Sequence, residues 1–91
     1  MVTRQTVLIN ETGLHARPAA EFVALAKTFS SRITIQRLDQ ASEAVNAKSI
    51  LSILTQGLAK DTPIEICAEG PDEEMAANDL VRLIETAFEK Q

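Results

Sequence analysis

His15 is the only histidine of the chain and stands within Gly13-Leu14-His15-Ala16-Arg17-Pro18-Ala19-Ala20. A strand-like run ends before it and an alanine-rich helical pattern begins inside it, which puts His15 at a helix start. The first N–H groups of a helix lack intrahelical partners, and the macrodipole adds partial positive charge there, so that end stabilises a phosphoryl group. An imidazole over those donors is a nucleophile. Its Nδ1, the ring nitrogen nearer the backbone, can set phosphate oxygens against the N–H groups of Ala16 and Arg17. Arg17 also supplies a permanently charged fork suited to phosphate oxygens. Pro18 falls in the first turn, where its missing N–H removes nothing, and Gly13 permits the tight turn that delivers the chain. An ordinary surface histidine or a plain N-cap fits the same residues, and the local motif leaves both readings open.

The elements that must hold this junction follow from periodicity. Val2 to Ile9 reads as a strand and Asn10-Glu11-Thr12-Gly13 as a turn. From Ala16 to Phe29, the residues Ala19, Phe22, Val23, Ala26 and Phe29 recur at helical spacing, and Ser30-Ser31 ends the helix. Ile33 and Ile35 alternate with Thr34 and Gln36 as a half-buried strand, and Leu38 to Ala44 connects it to a short strand through Val45. Asn46 is expected to cap a second, short helix through Leu54. Its Ile50, Leu51, Ile53 and Leu54 cover more than one narrow face, so some should stay exposed as a docking surface; the competing reading makes all of them core.

Lys60 to Thr62 reads as a turn. Ile64, Ile66 and Ala68 alternate with Glu65, Cys67 and Glu69 as a strand, which Gly70-Pro71-Asp72 stops. Asp72, Glu73 and Glu74 open a last helix with Ala76, Leu80, Leu83, Ile84 and Ala87 as its buried stripe. The predicted order, strand, helix, strand, strand, helix, strand, helix, implies an α+β antiparallel sheet with helices on one face.

Composition bounds the function. A chain of 91 residues that is 45% hydrophobic makes one domain, 1–91, with a core that needs no staple. A single cysteine, Cys67, excludes an intrachain disulfide and suits a reducing compartment. No apolar run approaches the roughly 18 residues of a membrane span and no signal peptide pattern opens the chain, so a soluble cytoplasmic protein is expected. The net charge of −4, without a basic run, speaks against nucleic-acid binding. Arg4, Arg17, Lys27 and Lys48 fall between positions 4 and 48, whereas the chain from Glu65 to Glu89 is acidic, so a partner docking at His15 is expected to be acidic. No metal-ligand cluster appears, and no metal or cofactor is expected.

The His15 motif, together with Asn46-Ala47-Lys48-Ser49-Ile50 and Ala68-Glu69-Gly70-Pro71-Asp72-Glu73-Glu74, resembles HPr, the histidine phosphocarrier family of the bacterial phosphoenolpyruvate-dependent sugar phosphotransferase system. The resemblance runs nearly end to end. It implies the HPr open-faced β-sandwich, βαββαβα, with three helices on one face of four strands. It also implies a phosphoryl carrier and not an enzyme. His15 would accept a phosphoryl group on Nδ1 from phosphorylated enzyme I, charged by phosphoenolpyruvate, and give it to EIIA components of sugar permeases.

By the same resemblance, Ile50, Leu51 and Leu54 match the partner-docking patch and Ile53 its inward residue. Ser49 matches a serine that a dedicated kinase, the HPr kinase/phosphorylase, phosphorylates as a brake. With Asn46 as the cap, Ser49 would lie in the first turn, where a phosphate puts negative charge beside the docking residues; a helix-start serine that no kinase touches is the other reading. Asp61 stands where the family usually has glycine and Gln56 where it has an apolar residue. The Leu38 to Ala44 connection looks like that of HPr-like domains attached to fructose-specific components.

Three other functions fit less well. A nitrogen-type phosphorelay paralogue would use His15 in the same way with another enzyme I. A regulatory docking module acting through the second helix has no need of His15. A hydrolase lacks a second histidine or a nucleophile-base pair. A carrier that visits several partners is expected to be a monomer.

Overall fold

The computed structural model describes residues 1–86. The elements are β1 (Val2–Val7), α1 (Ala16–Lys27), β2 (Arg32–Arg37), β3 (Val45–Asn46), α2 (Ile50–Leu54), β4 (Pro63–Glu69) and α3 (Glu73–Glu85), the predicted order. The strands form one sheet, β1-β4-β2-β3, with every neighbouring pair antiparallel.

Register explains the layers. Arg4, Ile66, Ile35 and Val45 lie side by side across the sheet, and Thr3, Cys67, Thr34 and Asn46 form the next row. Side chains alternate across each strand, so Ile33, Ile35, Ile64, Ile66 and Ala68 all face the helices. There they join one buried cluster with Phe22 and Val23 of α1, Ile53 of α2, and Ala76, Leu80 and Ile84 of α3. The other face carries Thr3, Gln5, Thr34, Glu65 and Cys67, and no helix of the described residues covers it: the open-faced sandwich.

Several element ends differ from the sequence expectation. β1 stops at Val7 because Leu8 turns into the core and its N–H donates to the Thr62 carbonyl (3.1 Å), leaving Ile9 exposed. α1 ends at Lys27 with Thr28 as C-cap, and Phe29 reaches the core from beyond the helix. In α3 the buried stripe includes Ala77, whereas Leu83 is only half-buried; Ala87 lies outside the described residues.

The far end of the sandwich is closed by Asp72. Its carboxylate accepts from the backbone N–H groups of Ser30 (2.9 Å) and Ser31 (3.0 Å) and from the Ser31 hydroxyl, so it pins the α1–β2 turn to the start of α3 instead of capping its own helix. The Ser31 hydroxyl first, with the Ser30 amide next, holds the Asp72 carboxyl below the ordinary carboxylate range.

Candidate functional site

His15 is delivered by a loop anchored on both sides. Leu14 is fully buried and its N–H donates to the Leu58 carbonyl over 2.8 Å. Gly13, at φ 61°, lies so close to the 58–59 backbone that a Cβ would strike the Leu58 carbonyl oxygen and come within 2.7 Å of the Ala59 Cα. The Asn10 side-chain amide donates to the Gly13 carbonyl (2.8 Å) and closes the turn. Opposite it, Asp61 donates its N–H to the Leu8 carbonyl (2.6 Å) from a left-handed backbone at φ 71°, the conformation for which the missing glycine is suited.

His15 is the N-cap residue of α1, with extended backbone at φ −129° and ψ 156°, and its side chain makes no cap hydrogen bond. The exposed imidazole is therefore not spent on its own helix. His15, Ala16 and Arg17 are all exposed, and buried Pro18 and Ala19 root the first turn behind them. Ala16 stands at φ 53°, a left-handed conformation that costs an L-residue about 1–2 kcal/mol. Buried anchors on either side, Leu14 and Pro18, hold it there. No sequence signal marks this distortion, because alanine has no preference for it.

On α2, Ile50, Leu51 and Leu54 are 42%, 72% and 39% exposed, and Ile53 is fully buried. The apolar residues thus divide as expected into one inward anchor and an exposed face, on a helix that packs against α1. The expected cap is corrected: Ser49, not Asn46, is the N-cap, and its hydroxyl accepts from the Ser52 N–H (3.2 Å). Asn46 is committed to β3 opposite Thr34, and its side-chain oxygen accepts from the Lys48 N–H (2.9 Å). Ser49 therefore precedes the first turn instead of lying in it, half-buried beside exposed Ile50.

The four cations Arg4, Arg17, Lys27 and Lys48 do not converge. Arg4 faces α3, where its Nε donates to the Asn78 side-chain oxygen (3.2 Å). Lys27 ends α1, and the Lys48 ammonium donates to the Phe29 carbonyl (2.8 Å), so both lie near the C-terminal end of a helix about 18 Å long with His15 at its other end. Of these cations, Arg17 alone adjoins the histidine. Arg37, unremarked in the sequence, instead spans β2 and the end of α2: its Nη1 donates to the carbonyls of Gln56 (2.8 Å) and Gly57 (3.1 Å).

No helix of the described residues is long and apolar enough to cross a membrane. Residues 2–86 match the family model described as the PTS HPr component phosphorylation site. The phosphocarrier protein HPr of Borreliella burgdorferi is 42% identical over 86 residues, covering 94% of this chain and 96% of that protein. A crystal structure of an HPr from Thermoanaerobacter tengcongensis superposes with a TM-score of 0.92 at 43% identity, covering 100% of this chain and 99% of that one. A multiphosphoryl transfer protein of Vibrio cholerae is 45% identical over 67 residues, which are 74% of this chain and 17% of that protein. An open-faced sandwich with an exposed histidine at the start of its first helix, matched over nearly its whole length by the family model and by the Borreliella and Thermoanaerobacter proteins, places the chain in the HPr family, the phosphocarrier proteins of the phosphotransferase system.

Proposed function

We propose that His15 is the phosphoryl carrier residue. Phosphorylated enzyme I, itself charged by phosphoenolpyruvate, docks on Ile50, Leu51 and Leu54, and the unprotonated Nδ1 attacks phosphorus as the bond to the donor breaks. The N–H groups at the start of α1 and the Arg17 guanidinium receive the phosphoryl oxygens. EIIA components of sugar permeases then take the group at the same surface of α1 and α2. Phosphoryl transfer needs mainly in-line positioning and charge stabilisation, so a shallow site completed by each partner suffices. The transfers are expected to take place in the cytoplasm.

The observation that carries this reading is the exposed imidazole, free of any cap bond, at the start of a helix that packs against α2, whose Ile50, Leu51 and Leu54 are exposed. Ser49 is the proposed regulatory site, where a phosphate would set negative charge against the docking residues. Intact mass after incubation with enzyme I, Mg²⁺ and phosphoenolpyruvate tests the carrier role. One acid-labile phosphoryl group is expected on the wild type and none on His15→Ala. Failure of labelling by both sugar-type and nitrogen-type enzyme I would leave the docking-module reading in its place.

A further inference from the structure

The Arg37 side chain is only 15% exposed although it ends β2 and lies two residues before the exposed Asp39. Nε and Nη2 meet Asp39 as a fork at 2.8 and 3.0 Å, and the Asp39 carboxyl is held below its ordinary range by that hydrogen bond. With the guanidinium fixed in plane, Nη1 is aimed at the Gln56 and Gly57 carbonyls, just beyond the C-cap of α2. Both carbonyls lie past the helix's own hydrogen-bond ladder, the Gly57 one also accepting from the Ala59 N–H (2.9 Å), and a planar cation serves the two at once.

What these carbonyls lead to gives the contact its meaning. Leu54, a docking residue, lies shortly before Gln56, and Leu58 follows Gly57 directly. The Leu58 carbonyl accepts from Leu14, the residue before His15. Arg37 itself is rooted in the sheet, paired with Ile64 of β4. One side chain thus fixes, relative to the sheet, both the end of the docking helix and the strap that holds the histidine loop.

The geometry points to Arg37 as a positioning residue for phosphoryl transfer, oriented by Asp39, which sets the docking face of α2 and the His15 loop in register with each other. This rests on the carrier reading of His15. Docking energy resides in Ile50, Leu51 and Leu54, which Arg37 does not touch, so loss of the clamp is felt in alignment and not in affinity. Misplacement of reacting groups by an ångström is enough to slow a transfer severely.

The test uses the intact chain as the varied substrate of phosphorylated enzyme I. Arg37→Ala is expected to lower kcat about tenfold while KM stays within about threefold, and Arg37→Lys to recover part of kcat because an ammonium still reaches one carbonyl. A fold that is merely destabilised behaves differently, since unfolded molecules are not substrate: it raises the apparent KM and leaves kcat alone. Wild-type kcat in Arg37→Ala, or a rise in KM alone, overturns the proposal. Amide hydrogen exchange gives a readout independent of phosphorylation. Leu14 N–H should exchange faster in Arg37→Ala, and unchanged exchange also overturns the clamp. Absence of labelling in the wild type would instead overturn the carrier reading, which the exchange measurement does not depend on.

Discussion

The Asp72 carboxylate takes both the N–H and the hydroxyl of Ser31, 41 residues earlier in the chain, and so locks the end of the sandwich opposite His15. Its folded pKa lies below the ordinary value of 3.8. A carboxyl depressed on folding contributes stability that is fully present above the unfolded pKa and lost as pH falls through the folded one. Asp72→Asn should therefore lower Tm at neutral pH and flatten the fall of Tm below about pH 4, as thermal unfolding across that range will register. A Tm profile parallel to wild type would assign the acid limb elsewhere; Glu73, depressed by the Gly70 amide and then by the chain's amino terminus, is the next group to replace.

Gly13→Ala should be costly twice over. A side chain at φ 61° is strained, and its Cβ has no space against the Leu58 carbonyl. Denaturant unfolding should show a loss greater than about 1 kcal/mol, and transfer from phosphorylated enzyme I should slow because the loop bearing His15 must shift.

Two residues on one short helix should separate stability from docking. Ile53→Ala empties a fully buried site and is expected to cost about 2–5 kcal/mol in equilibrium unfolding. Leu51→Ala, at a position 72% exposed, should change stability by less than about 0.5 kcal/mol yet raise the KM for transfer about tenfold. Equal effects of both variants on unfolding, with none on KM, would remove the docking role from α2.

Ser49 offers a similar contrast through its cap. Ser49→Ala loses the acceptor for the Ser52 N–H and should destabilise the protein by about 1 kcal/mol. Ser49→Asp keeps an acceptor in the capping position and adds charge beside Ile50. It should retain stability but raise the KM for enzyme I, measured in the same transfer assay.

Much of this arrangement was legible wherever periodicity or a local motif carries the information. Ile64, Ile66 and Ala68 declared β4 by alternation, and one short helix that cannot bury every side left some α2 residues exposed, although only the family resemblance singled out Ile53 as the inward one. His15 and Arg17 were marked by the helix start. The cap of α2 was misplaced because Asn46 and Ser49 are both good caps, and only pairing with Thr34 decides that Asn46 belongs to a strand. The φ of Ala16, the Leu58 strap and the reach of Arg37 to Gln56 were illegible for a shared reason: each depends on segments distant in sequence, and neither alanine nor arginine signals such a partner.

Pairing of Val2 with Ala68, at opposite ends of the sheet's sequence, also bears on the order in which the molecule is made. Among the described residues β1 has its only strand neighbour in β4, and Leu14 has its backbone partner in Leu58. During synthesis the histidine emerges ahead of Leu58 and is not held until the residues beyond Leu58 have left the ribosome. Contacts of such long range are also slow to form. A nascent chain that displays His15 is thus not yet a carrier, and competence arrives only with the nearly complete fold.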